Sequence, residues 1–157
     1  MAPAAATCPR SGGGAGLKEI AATRRLEQSP EVVFAFLADL RNHWRLSRRF
    51  AELEALEGDL QGGRVRIVGP LGLSRTTRTR VVEAVPPRRV AGRADVGRRT
   101  VGSVRWTIDP DGGGSTVTLA ATVDEASPLD RAILALGGRR HLARTFEEAL
   151  AALAEAA

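Results

Sequence analysis

The stretch Leu26-Glu27-Gln28-Ser29-Pro30-Glu31-Val32-Val33-Phe34-Ala35-Phe36-Leu37-Ala38-Asp39 joins the end of a strand to a short capped helix. The Ser29 hydroxyl can accept a backbone N–H at the helix start, and Pro30 suits the first helical position, where its missing donor costs nothing. Val33, Phe36, Leu37 and Leu40 then form an apolar stripe at helical spacing. On its N-terminal side, residues 17–28 read as a strand.

Beyond this helix only strand and hairpin signals follow until the C-terminal region. The segment Arg41-Asn42-His43-Trp44-Arg45-Leu46-Ser47 is too short for a full helix and predicts a turn or a second small helix. A strand over 49–57 ends at Gly58-Asp59 and Gly62-Gly63. Residues 64–68 alternate charged and apolar side chains, as a half-buried strand does. After Gly69-Pro70 and Gly72, a long strand over 73–84 is stopped by Pro86-Pro87, because proline cannot donate to a ladder. A short strand over 89–94 turns at Asp95-Val96-Gly97. The strand over 99–109 carries Val104, Trp106 and Ile108 on one face. Pro110-Asp111-Gly112-Gly113-Gly114 is a hairpin signal, and in 116–124 Val117, Leu119, Ala121 and Val123 face inward. The pattern predicts an α+β chain: seven hairpin-connected antiparallel strands with a two-helix excursion after the first.

Ser127-Pro128 repeats the cap-plus-proline entry and opens a helix reaching about residue 155. Leu129, Ile133 and Leu136 share one face, whereas Leu142, Phe146, Leu150 and Leu153 share a rotated one. The change of phase falls at Gly137-Gly138 and predicts a kink or break, since each glycine inside a helix costs about 1 kcal/mol relative to alanine.

The 157 residues are expected to form one domain with a substantial core, over 17–157. Residues 1–16, rich in Ala, Pro, Ser and Gly, are expected to be a disordered tail, because they cannot bury enough apolar surface to offset chain entropy. The tail lacks the basic start and apolar core of a signal peptide, and no run approaches the roughly 20 apolar residues that span a bilayer. A cytoplasmic protein is therefore expected. The formal net charge is +5, but Lys18 is the only lysine, and the abundance of Arg, Ala and Gly matches the coding bias of a GC-rich genome. A solvated arginine surface explains that charge better than a nucleic-acid face, so no nucleic acid is expected as a partner.

The order strand, S-P-E-x-V-F-x-x-L-x-D helix, strands, long helix resembles the START-like superfamily, also termed SRPBCC, Bet v 1-like or polyketide cyclase-like. The resemblance covers about residues 17–155. It implies a helix-grip fold, a seven-stranded curved antiparallel sheet around a long C-terminal helix, with an internal cavity for apolar or amphipathic small molecules. Some members cyclise or dehydrate polyketides; others bind, carry or sense ligands. It also aligns Asp39 with the aspartate closing the family's first helix, where local hydrogen bonding is the expected role.

The catalytic inventory is thin. Cys8 is the only cysteine, so there is no disulfide and no CxxC metal pair. No HExxH spacing, phosphate loop or G-x-S-x-G elbow occurs, and no metal or cofactor is expected. Tyrosine, a common cavity-lining group in the superfamily's cyclases, is absent. His43 is read as an exposed loop histidine and His141 as part of a solvated helix surface.

Strict alternation places Arg24 with Ile20, Ala22 and Leu26, and Arg75 with Leu73, Thr77, Thr79 and Val81. An arginine aimed into a cavity must be paired or meet an anionic group, so both are candidate polar anchors for a ligand. The plainer reading is a bulge or strand end that returns the guanidinium to solvent.

The favoured expectation is binding of a hydrophobic small molecule in a cavity lined by Val65, Ile67, Thr77, Thr79, Val104, Trp106, Leu119 and Leu136, with Trp44 near its entrance. A polyketide cyclase or dehydratase using Arg24, Arg75, Thr77, Thr79 and His43 is the second reading. An acidic-partner or nucleic-acid binder using Arg64, Arg66, Arg78, Arg80, Arg98 and Arg99 is the third, and would show steeply salt-dependent binding.

Overall fold

The computed structural model describes residues 17–46, 51–57, 61–69 and 72–157; Cys8 and the N-terminal sixteen residues lie outside them. Seven strands form one antiparallel sheet in the order β1-β7-β6-β5-β4-β3-β2. They are β1 (Leu17–Leu26), β2 (Ala51–Leu56), β3 (Gly62–Val68), β4 (Ser74–Val85), β5 (Arg89–Val96), β6 (Thr100–Asp111) and β7 (Gly114–Glu125). Every pair except β1·β7 joins neighbours in sequence, as short hairpins dictate. Two helices, α1 (Pro30–Ala38) and α2 (Leu40–Leu46), fill the excursion between β1 and β2.

The local chemistry of the opening stretch accounts for α1. Ser29 Oγ accepts from Val32 N at 3.5 Å, and Pro30 occupies the first turn. Nine residues are too few for a helix to be stable alone, so packing must hold it. Val33 and Leu37 are fully buried in the main cluster, beside Leu26, Ile108, Val117 and Leu150. Asp39 ends α1 and starts α2: its Oδ1 accepts from Arg41 N at 3.0 Å, and its Oδ2 pairs with Arg41 Nη2 at 2.7 Å. The Arg41 guanidinium bound to it holds the Asp39 carboxyl below the usual carboxylate range.

The C-terminal element breaks where the glycine pair and the change of phase predict. Helix α3 (Pro128–Ile133) gives way to a π-turn over Leu134–Gly138 and then to α4 (Arg139–Ala156). Gly137 has φ +120°, a conformation that side chains rarely adopt, and Leu136 just before it is thrown outward. Past the break, α4 buries Phe146, Ala149, Leu150 and Leu153 against the sheet. Gln28 Nε2 fastens its far end, donating to Ala154 O at 2.9 Å and Ala157 O at 3.0 Å.

A polar clamp fixes the start of α3. Ser127 Oγ accepts from Asp130 N at 3.2 Å and donates to Asp130 Oδ2 at 2.8 Å. Ser127 N donates to Thr100 Oγ1 at 3.1 Å, Thr100 Oγ1 donates to the same carboxylate, and Arg75 pairs with Asp130 Oδ1. Among the described residues no helix is long and apolar enough to cross a membrane.

Candidate functional site

Strand register explains why a cavity lies between the sheet and α4. The inner positions of β5, β6 and β7 run from bulky to small along the sheet. Val90 pairs with Trp106, which pairs with Leu119; two residues further on, Gly92 pairs with Val104, which pairs with Ala121; and Ala94 pairs with Gly102. The bulky end is packed shut, with Val90, Trp106, Ile108, Val117 and Leu119 buried. The small end leaves space that α4 does not fill.

That space is a cavity of about 390 Å³, within the usual range for small-molecule pockets. Ile67, Val81, Ala94, Val104 and Ala121 line it from the sheet, with Ile133, Leu142 and Phe146 from the C-terminal helices. Trp106, Leu119, Phe146 and Ala149 are its buried floor. Val68, Gly69, Val96, Ile133 and Leu134, all more exposed, also line it. Among the described residues no carboxylate, lysine or cysteine lines it.

Of the expected lining residues, Ile67, Thr79, Val104, Trp106 and Leu119 lie on the wall. Val65 and Thr77 face inward but are fully buried in packing, the Thr77 hydroxyl without a hydrogen-bond partner among the described residues. Leu136 is a correction: the π-turn leaves it 88% exposed, off the wall. Trp44 lies in α2, and its side chain is outside the described residues.

Neither candidate arginine reaches the cavity. Arg24 pairs in register with Val117 on the inner face, yet it is exposed, because β1 is an edge strand and a long side chain can leave sideways to water. Arg75 belongs to the clamp with Asp130. The other arginines proposed for an acidic partner decorate the outer face. Arg64 opposes Arg78, and Arg80 opposes Arg93, with Glu54, Glu57 and Asp95 paired among them. Arg98 and Arg99 are exposed in the β5–β6 turn.

The two histidines are the residues that sequence reasoning misplaced. His43 is on α2 rather than in an exposed loop, and His141 is half-buried on α4 rather than on a solvated surface; both line the cavity. A signal was present for each. His43 follows the buried Leu40 by three residues, and His141 precedes the buried Thr145 and Ala149 by four and eight. The His43 ring bonds through Nε2 to Leu37 O at 2.5 Å and meets Trp106 edge-on, with centroids 5.9 Å apart and planes at 74°. Burial pushes the His43 pKa below its ordinary value, outweighing the Leu37 carbonyl and the Asp39 charge.

This burial predicts a pH effect. Below pH 6.5 the unfolded chain takes up a proton that folded His43 refuses, so stability falls as pH drops from there toward the lower folded-state pKa. The slope approaches about 1.4 kcal/mol per pH unit for one proton. Urea unfolding of wild type and His43→Gln between pH 7 and 5.5 checks this: the variant is expected to lack that part of the slope.

Against protein-family models, residues 18–157 match the family described as polyketide cyclase / dehydrase and lipid transport. The chain belongs to this family. Its START-like, helix-grip architecture recurs in solved structures. The Thermus thermophilus protein TTHA0849 is 22% identical, with a TM-score of 0.65 over 88% of this chain and 95% of that one. DR_A0006 from Deinococcus radiodurans is 18% identical, with a TM-score of 0.61 over the same shares. A START superfamily protein from Mycobacterium smegmatis is 15% identical, with a TM-score of 0.65 over 87% of this chain and 94% of that one. At these identities the likeness is one of fold. No curated protein sequence matches the chain.

Proposed function

We propose that this polyketide cyclase/dehydrase-family protein binds a hydrophobic or amphipathic small molecule in its internal cavity. The observation that carries this reading is the cavity itself: about 390 Å³ walled mainly by apolar side chains, with no carboxylate among its described lining residues. Burial of apolar ligand surface supplies roughly 25 cal/mol per Å², and a few polar groups fix orientation. Trp106 on the floor is a built-in reporter. In a Trp44→Phe background, apolar ligands are expected to change Trp106 fluorescence and, at 100 times Kd, to raise Tm by about 5–10 °C. A panel of aromatic, isoprenoid and fatty ligands that moves neither signal would count against the reading.

The second reading, a cyclase or dehydratase, draws on one observation: both histidines line the wall. Among the described lining residues it lacks a carboxylate to orient either ring, and neither arginine candidate is among them. Arg75→Met distinguishes a structural arginine from a ligand anchor. With the pair partly exposed, its loss is expected to cost about 1–2 kcal/mol, between surface and buried ion pairs, and to leave ligand affinity unchanged. Chemical unfolding and ligand titration of the same variant read both quantities.

A further inference from the structure

We propose that His43 is the polar anchor of the cavity and selects ligands that carry a hydroxyl donor, phenolic, enolic or alcoholic, on an apolar body. This rests on the binding reading above and names the class of ligand.

Leu37 O can only accept, so Nε2 at 2.5 Å carries the proton. A neutral imidazole then has a bare lone pair on Nδ1, which is an acceptor and nothing else. Nδ1 has no hydrogen-bond partner among the described residues, although the ring is packed against Trp106 on the cavity floor. Desolvation keeps the ring neutral near pH 7. A ligand hydroxyl would give this open acceptor its donor.

The rest of the wall narrows the choice. Thr79 already donates its hydroxyl to Gly63 O at 3.4 Å. Arg80 and Arg93 contribute to the wall but send exposed side chains to Glu57 and Asp95 on the outer face. A ligand carboxylate would therefore set its charge against the Nδ1 lone pair, with no cationic side chain among the described residues aimed into the cavity to offset it. A donor hydroxyl is the matching group. His141 and Thr145, both on α4, are competing acceptors on this wall.

The test compares 2-naphthol with naphthalene on wild type, His43→Leu and His141→Leu, by titration at pH 7.5. The ratio of naphthol to naphthalene affinity is expected to fall about tenfold in His43→Leu, or 1.4 kcal/mol, with naphthalene affinity retained, and to stay within twofold of wild type in His141→Leu. An unchanged ratio in a His43→Leu protein that still binds naphthalene overturns the role of His43 and leaves the cavity reading standing. A wild type that binds neither compound overturns both. A measurement on the wild-type protein makes the result independent of how the variant folds. In histidine labelled with nitrogen-15, naphthol but not naphthalene should move the Nδ1 resonance of the neutral His43 ring. A resonance that naphthol leaves in place overturns the proposal.

Discussion

Ala94→Trp is expected to abolish ligand uptake while leaving the protein at least as stable as wild type. Ala94 faces inward on β5, flanked in register by Thr79 and Gly102, where the wall is thinnest in side-chain volume. An indole there occupies the space a ligand would use, so affinity should drop at least 100-fold, about 2.7 kcal/mol. Filling an existing space does not overpack a core, and cavity-filling substitutions commonly add about 0.5–2 kcal/mol. Ligand titration with urea unfolding checks both halves. Retained affinity in a folded Ala94→Trp protein would place the binding site elsewhere. A loss of stability of several kcal/mol would mean that the space is already filled.

Leu37→Ala should have the largest effect on stability. Leu37 is 0% exposed, and with Val33 it is the buried face of α1. Truncating a leucine in such a site removes its transfer free energy and leaves a void, at a cost of about 2–5 kcal/mol. Because α1 is too short to persist without packing, the upper part of that range is expected. Val32→Ala, one residue before Val33 but half exposed, is the control and should change stability by less than about 0.5 kcal/mol. Equal losses in the two variants would contradict the assignment of the buried face.

What the chain discloses about itself depends on how local the cause is. Both cap-plus-proline entries, Ser29-Pro30 and Ser127-Pro128, are legible because a hydroxyl three residues from its donor needs nothing distant. The strands are legible as alternation, and the break at Gly137 as a change of helical phase. Leu136 departs from that phase, because a π-turn resets the direction of each side chain within it.

The site was less legible because strand phase says which face a residue takes, not whether space lies before it. Val65 and Thr77 share the inner face with Ile67 and Thr79, yet only the second pair meets the cavity. What decides this is the row of small residues Gly92, Ala94, Gly102 and Ala121, which becomes visible only once register sets them side by side. His43 depends on how a seven-residue helix packs, which no local rule fixes. Arg75 looked like an anchor because its partner, Asp130, is 55 residues away.

The central claim is that this protein holds an apolar molecule inside, and native mass spectrometry of the purified chain tests it most directly. The account predicts a native mass above the denatured mass, with the excess lost on denaturation and absent in Ala94→Trp. An excess retained in a folded Ala94→Trp protein, or a bare polypeptide mass that no added apolar compound increases, would contradict it.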